Sequence, residues 1–412
     1  MSPSKKNANQ PFNATRRKVL IVSPGIPHPK RGASTVLFFC YIDAMKKAGF
    51  EILHLLLLQP GSAKTEELNN YTDSIQELRR FKVLPCWSDV FIQSGRLGHN
   101  LNQQAVQQVR EEVEEFQADM IISFDLMSAW SSVIFSCDRK IVWLGDLNYD
   151  SYWYNSLYSW KEGNSKPWHL LWAVIQRWSW ERIYKKVLFN FDSIIVSSYS
   201  SEKSLVKFGI KSLYLPYPWP NPFIEQRKSR TRPNTPTFLF FGTLSALGSR
   251  SALHMLVDKV YPRLIKTFGG QNFKINICGQ KEFPRWATDS ISGKPEIAFL
   301  GFVDDLGKLM DSCHAMIAPI DVPVGNRSRI LTALACRLPV IAHHNTALGN
   351  PGLIHNETCL LASTPDEFVV AMRRAVDNPE DIQKIADVGC EYYKNNFAPA
   401  AASSIFLQEI IK

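Results

Sequence analysis

Short apolar runs rich in β-branched residues alternate along this chain with longer stretches whose apolar residues recur every three or four positions. Lys18 to Ser23 is such a run and predicts a buried parallel strand. A Gly/Pro-rich loop follows, Pro24 to Gly32, then a helical pattern from Ser34 to Ala48 that Gly49 stops. Glu51 to Leu58 predicts the second strand, so the chain opens with a strand–loop–helix–strand unit of an α/β domain. Further strands are expected at Phe81 to Leu84, Asp119 to Phe124, Lys140 to Leu144 and Ser193 to Ser197. Helices are expected at Asn102 to Phe116, Pro167 to Phe189 and Ser200 to Phe208, with a last short strand at Tyr214–Leu215.

The pattern then breaks. Pro216, Pro218, Pro220, Pro222, Pro233 and Pro236 fall close together, and proline removes donors and fixes φ, which marks a linker. A second α/β series follows it. Strands are expected at Thr237 to Phe241, Phe273 to Cys278, Ile297 to Leu300, Ala315 to Pro319, Pro339 to Ala342 and Cys359 to Ala362. Helices are expected at Ala252 to Phe268, Leu306 to Asp311, Arg327 to Cys336, Pro365 to Asp377, Pro379 to Asn395 and Pro399 to Ile411. The expected organisation is a basic tail (1–17), an N-terminal Rossmann-like domain (18–216), a Pro-rich linker (217–236), a C-terminal Rossmann-like domain (237–396) and a C-terminal helix (397–412).

Charge narrows the choice of partner. Lys and Arg number 47 against 38 Asp and Glu, a net +9 that favours anionic partners such as nucleotides, phosphates or an acidic membrane surface. Residues 1–42 hold seven Lys/Arg and no acid. No apolar run approaches the roughly 20 residues that span a bilayer, and residues 1–17 lack an apolar signal core, so a cytosolic location is expected. The eight cysteines are scattered and read as buried thiols of a reducing compartment. Charge alone suggests nucleic acid, but no nucleic-acid module is recognisable, and none is expected as a partner.

The second half carries chemistry. Gly325 to Arg329 places a glycine before a helix start and adds Arg327 and Arg329. Free N–H groups at a helix start favour a diphosphate, and arginine binds phosphate oxygens in a fixed fork. Cations at a helix N-terminus are unfavourable unless an anion joins them, so Arg327 and Arg329 are candidates to neutralise a leaving nucleoside diphosphate.

The stretch from Phe238 to Met372 resembles the C-terminal domain of GT-B glycosyltransferases of the large family-4 (group 1) type. The matching pieces, in order, are Phe240-Phe-Gly-Thr243, Ile275-Asn-Ile-Cys-Gly279, Phe299-Leu-Gly-Phe-Val-Asp304, Met316-Ile-Ala-Pro319, Gly325 through Ala342, Leu348-Gly349 and Leu360-Leu-Ala362. The resemblance implies an α/β GT-B fold, with two doubly wound domains facing across a cleft and the C-terminal helix returning to the N-terminal domain. It implies donor contacts from Gly242, Thr243, Arg250, Gly279, Phe302, Val303, Gly325, Asn326, Arg327, Ser328, Arg329, Ile330 and Thr332. It also implies no metal and no cofactor beyond a nucleotide diphosphate sugar as co-substrate, and a retaining outcome. Val324 and Thr332 occupy the positions where the family often carries two glutamates.

On the acceptor side, the first loop offers His28, Arg31 and Gly32, since ligands of open α/β folds bind at the carboxyl ends of strands. Asp125 and Asp146 each follow a strand; a carboxylate there can orient or deprotonate an acceptor hydroxyl, or serve as a cap or turn residue. Trp168, Trp172 and Ile175 share one helical stripe and are expected in the core. Trp153, Trp160, Tyr149, Tyr152, Tyr154 and Tyr158 lie in a stretch expected to be loop-like, where aromatics suit sugar rings or a membrane interface.

The expected function is transfer of a hexose-type sugar from a nucleotide diphosphate sugar to a glycan or lipid-linked acceptor, in cell-surface polysaccharide or glycolipid synthesis. Asp146, Asp125 and Arg329 are the candidate catalytic residues, and an anionic membrane surface is a candidate contact. The competing expectation, favoured by Val324 and Thr332, is a non-catalytic GT-B protein that binds a partner.

Overall fold

The structure is a computed structural model of the 412-residue chain and describes residues 17–29, 33–61, 65–76, 80–95, 98–221, 233–325 and 327–412. By its internal contacts the chain divides into two compact units, residues 1–142 with 190–192, and residues 143–189 with 193–412. The Pro-rich linker falls inside the second unit, and its residues 222–232 lie outside the described ones.

The first unit begins β1 (Lys18–Ser23), α1 (Ala33–Lys47), β2 (Glu51–Leu58), α2 (Thr65–Gln76) and β3 (Phe81–Trp87). A hairpin, β4 (Ile92–Gly95) and β5 (Gly98–Leu101), and two short helices, α3 (Gln103–Gln107) and α4 (Arg110–Phe116), follow. Then come β6 (Met120–Phe124), α5 (Leu126–Ser132) and β7 (Arg139–Leu144), in which the division between units falls. The strands pair in parallel in the order β3-β2-β1-β6. Val19 to Val22 and Ile52 to Leu58 are buried throughout, as expected of strands covered on both faces.

The hairpin, α2 and α5 escaped the sequence pattern. α2 and the hairpin are too polar to show a period, and the serines of α5 masked its helix. Two of the eight cysteines, Cys40 and Cys137, are half-buried; all eight are free thiols.

Among the polar groups buried in this core is a histidine. The fully buried His54 places Nε2 2.9 Å from Ser23 Oγ and Nδ1 2.9 Å from the Tyr71 hydroxyl. Burial drives its pKa down from 6.5 to about 3. The folded state therefore favours the neutral ring. This contribution is complete above 6.5 and is lost as pH falls toward 3. Melting curves taken across that window should show wild-type stability falling with acid, and His54→Gln should flatten the decline. A slope that this variant leaves unchanged would assign the acid sensitivity elsewhere.

The second unit begins with α6 (Asn148–Lys161) and α7 (Trp168–Leu188), which pack together, then β8 (Ser193–Val196), α8 (Tyr199–Val206) and β9 (Leu213–Tyr214), with β8 and β9 parallel. The second series is β10 (Thr237–Phe241), α9 (Leu247–His254), a π-helical turn (Met255–Val260), α10 (Tyr261–Phe268), β11 (Lys274–Cys278), α11 (Arg285–Ile291) and β12 (Ile297–Gly301). It continues through α12 (Leu306–Asp311), β13 (Ala315–Ala318), α13 (Ser328–Ala335), β14 (Val340–His343), β15 (Leu360–Ala362), α14 (Pro365–Asp377), α15 (Pro379–Asn396) and α16 (Pro399–Ile411). Its parallel sheet runs β12-β11-β10-β13-β14-β15. The order steps outward on both sides of β10, and the loops after β10 and β13 lie at this switch point.

Two expectations are corrected here. The stretch around Tyr149 to Trp160 is helix α6 and not a loop, with Tyr149 and Tyr158 buried. Trp168, Trp172 and Ile175 are 61%, 57% and 46% exposed, outside the core. Their spacing is helical as expected, but α7 packs through another face.

Candidate active site

A cavity of about 440 Å³ opens at the switch point of the second unit, lined among others by Asp146, Ser245, Gly248, Gly325, Arg327 and Arg329. The N-termini of α9 and α13 both reach it, and among the described residues no side chain caps either helix start. Unclaimed N–H groups and the positive ends of two helices thus meet two arginines.

Arg329 runs from the first turn of α13 back under the loop after β10. Its Nη2 donates to Ser249 Oγ at 2.7 Å, and its guanidinium lies 5.2 Å from the Phe240 ring centre. Nη1 is enclosed by protein and has no hydrogen-bond partner among the described residues. Burial, with the like charge of Arg327 adding to it, pulls its pKa down from 12.5 to about 10. Arg327 is likewise lowered to about 10 by burial, partly offset by Asp146 and Tyr217. Its Nη2 donates to the carbonyls of Val322, at 3.0 Å, and Val324. Both groups stay charged at neutral pH. Two adjacent cations held out of water are costly unless an anion joins them.

Glycines allow these close approaches. Gly242 has φ +136°, and a Cβ there would lie 2.8 Å from Arg329 Cζ. Gly279, at the end of β11, would place a Cβ 2.7 Å from the backbone nitrogen of Gly242. At Gly325, with φ +90°, a Cβ would sit 2.8 Å from Arg327 Nη1 and 3.1 Å from Asp146 Oδ2. Asp146 and Arg327 therefore face each other across a bare stretch of backbone, with the buried Tyr217 in the same electrostatic group.

Other expected residues lie elsewhere or are engaged. Arg250 is buried and clamps Glu162, with Nε 2.9 Å from Oε1 and Nη2 2.8 Å from Oε2. Burial works against the charge of Glu162, but hydrogen bonds from His254 and Arg250 outweigh it and hold the carboxyl below its usual range. Thr332 is buried; its hydroxyl accepts from Trp219 Nε1 at 2.9 Å and donates to the Ser328 carbonyl. Ile330 is buried in the core of the unit, Ser328 opens α13, and Thr243 is exposed beside Gly242. Phe302 is 62% exposed at the end of β12, with Val303 half-buried beside it. Asn326 lies outside the described residues, as do Arg31 and Gly32.

In the first unit, His28 is half-buried, and its backbone N–H donates to the Thr35 carbonyl. Asp125 caps α5, its Oδ1 accepting from the N–H groups of Met127 (2.8 Å) and Ser128 (3.2 Å). Its φ is +72° with ψ 175°, a strained conformation for a residue other than glycine. Burial raises its pKa from 3.8 to about 6 against the two N–H bonds. The folded state thus disfavours the carboxylate, and this contribution to stability is lost as pH rises through about 6. Asp125→Asn keeps an oxygen for both cap bonds. It should keep its fold and melt higher than wild type above that pH. A loss of turnover with an intact fold would assign the carboxylate to the chemistry.

Sequence reasoning reads 243–250 as a loop and starts the helix at Ala252, whereas α9 starts at Leu247. It missed Ser249, which holds Arg329, and Glu162, which holds Arg250. The Gly-Ser-Arg run at 248–250 was the available signal.

Residues 235–378 match the family model described as glycosyl transferases group 1. No curated protein matches the sequence. Among solved structures, the chain is similar to HepE of Anabaena in complex with UDP and glucose, at 14% identity and TM-score 0.61, covering 96% of this chain and 99% of that one. It is similar to a mutant TarM of S. aureus in complex with Fondaparinux, α-GlcNAc-glycerol and UDP, at 9% identity and TM-score 0.61, covering 95% and 99%. It is also similar to sucrose-phosphate synthase from Thermosynechococcus elongatus, at 15% identity and TM-score 0.60, covering 96% and 98%. With its two parallel α/β sheets the chain has the GT-B fold of these proteins, and its residues 235–378 are the part that matches the glycosyl transferases group 1 model.

Proposed function

We propose that the chain is a glycosyltransferase that moves a hexose-type sugar from a nucleoside diphosphate sugar to a hydroxyl of a glycan or lipid-linked acceptor. The observation that carries this is Arg329: a buried guanidinium whose Nη1 has no partner among the described residues, beside Arg327 and two helix starts that no described side chain caps, inside the segment that matches the family. When the bond between the sugar and the diphosphate breaks, negative charge gathers on the departing diphosphate. Fixed N–H groups and two arginines answer that charge without reorganising. Asp146, on the same cavity, orients Arg327 and stands where an acceptor hydroxyl can be held. UDP in the HepE and TarM complexes supports a uridine nucleotide as the first donor to try. The group 1 resemblance supports a retaining outcome, a reaction without metal, a cytosolic enzyme and a role in cell-surface polysaccharide or glycolipid synthesis.

Melting the protein with UDP, GDP, ADP and CMP tests the donor site, since a ligand of the native state must raise its apparent stability. A shift with a nucleoside diphosphate is expected, followed by its release from the matching sugar donor. A second reading, a partner-binding GT-B protein without turnover, is favoured by Thr332, whose hydroxyl is already taken by Trp219. No shift with any nucleotide would support it.

A further inference from the structure

Among the described residues, large exposed apolar side chains gather on α7. Trp168, Leu171, Trp172, Ile175 and Trp178 follow the i, i+3, i+4, i+7, i+10 spacing of one helix face and are 61%, 68%, 57%, 46% and 54% exposed. Ala173, Tyr184, Val187 and Leu188, which α7 buries, lie about a third to a half of a turn around the helix from the centre of that stripe, and the buried Ile183 about a quarter of a turn. The exposed stripe is therefore not the fringe of the core; it is a second apolar face aimed away from it.

We propose that this face of α7 docks the protein on an anionic lipid bilayer. The stripe ends in cations at both edges. Lys166 Nζ lies 4.9 Å from the Trp168 ring centre, and Arg182 Cζ lies 3.5 Å from that of Trp178. Tryptophan settles at the level of lipid headgroups, and arginine or lysine beside it meets the phosphates. Residues 148–188 hold six Lys/Arg, and of the three acids there Glu162 and Glu181 are paired to Arg250 and Arg177. Among the described residues no helix is long and apolar enough to cross a membrane, so α7 would lie in the interface.

Charge argues against the other occupants. A second copy seated face to face would set Lys166 and Arg182 against their own counterparts. The chain's first 17 residues hold four Lys/Arg and no acid, so they bring no counter-charge to Lys166 and Arg182. The inference deepens the reading of a lipid-linked acceptor, but it stands on α7 alone.

The test is co-sedimentation of the full chain with vesicles of phosphatidylcholine alone or mixed with phosphatidylglycerol. Wild type should partition onto the anionic vesicles at least about tenfold more strongly, with a blue shift of tryptophan emission and a fall at high salt. The triple variant Trp168→Gln, Trp172→Gln, Trp178→Gln should lose about tenfold or more of that partitioning. The pair Lys166→Glu, Arg182→Glu should abolish the preference for anionic lipid. These positions are exposed, so far-UV circular dichroism melts should match wild type. Wild type that stays in the supernatant, or a triple variant that sediments as wild type does, would overturn the inference. So would a wild-type dimer that the triple variant splits while vesicle binding is unchanged. Failure of the transferase reading would show separately, as melting curves that no nucleotide moves.

Discussion

Arg329→Ala lowers sugar transfer about 100- to 1,000-fold, the range for removing one fixed donor from a developing negative charge. The loss falls on turnover and on nucleotide affinity together, because the guanidinium faces a diphosphate before and after the bond breaks. Arg329→Lys keeps the charge but not the fork, and Ser249 and the diphosphate then compete for one ammonium group. It recovers only part of the activity. Arg329 is also packed on Phe240, so the alanine variant is checked by its melt without nucleotide. The diagnostic result is a folded variant that UDP no longer stabilises. A variant that binds and transfers as wild type does would remove the arginine, and with it the central argument for catalysis at this cavity.

Gly279→Ala destabilises the second unit by about 2–4 kcal/mol, because strain and backbone overlap act at one atom. Gly279 has φ +123°, where a side chain is strained in any space, and the new Cβ would lie 2.7 Å from Gly242 N and 3.0 Å from its Cα. The obstacle is backbone, held by the hydrogen bond from Gly242 N to the Cys278 carbonyl at 2.9 Å. The strand ends of β10 and β11 must separate, and Gly242 moves against Arg329. A fall in melting temperature of several degrees is therefore expected, together with weaker nucleotide stabilisation. Gly242→Ala is the informative contrast. Its φ of +136° strains a side chain too, but its Cβ meets the end of Arg329 and not backbone, so stability should fall less than in Gly279→Ala while turnover falls with the displaced guanidinium. Equal melting of Gly279→Ala and wild type would mean that this contact relaxes without cost.

Much of this was legible in the residues. Central strands such as Lys18–Ser23 and Thr237–Phe241 are covered on both faces, and continuous apolar runs of that length have few alternatives. The glycines at 242, 279 and 325 could be marked as places of close approach, because only glycine enters their φ range without strain. Arg327 and Arg329 stood out for a similar local reason: cations at a helix start ask for an anion.

The sequence by itself determined the two α/β series and the arginine-bearing turn that opens α13, since each is written in neighbouring residues. Only the tertiary structure decided which side chains are taken. Arg250 is given to Glu162, 88 positions away, and Thr332 to Trp219, 113 positions away. Asp146 is brought to Arg327 by the packing of the second unit, and Ser249 fixes Arg329 across 80 positions. The direction of α7 was decided there too. Its apolar spacing is the same whether the stripe faces a core or a solvent boundary, because periodicity records that a face exists and says nothing of what covers it.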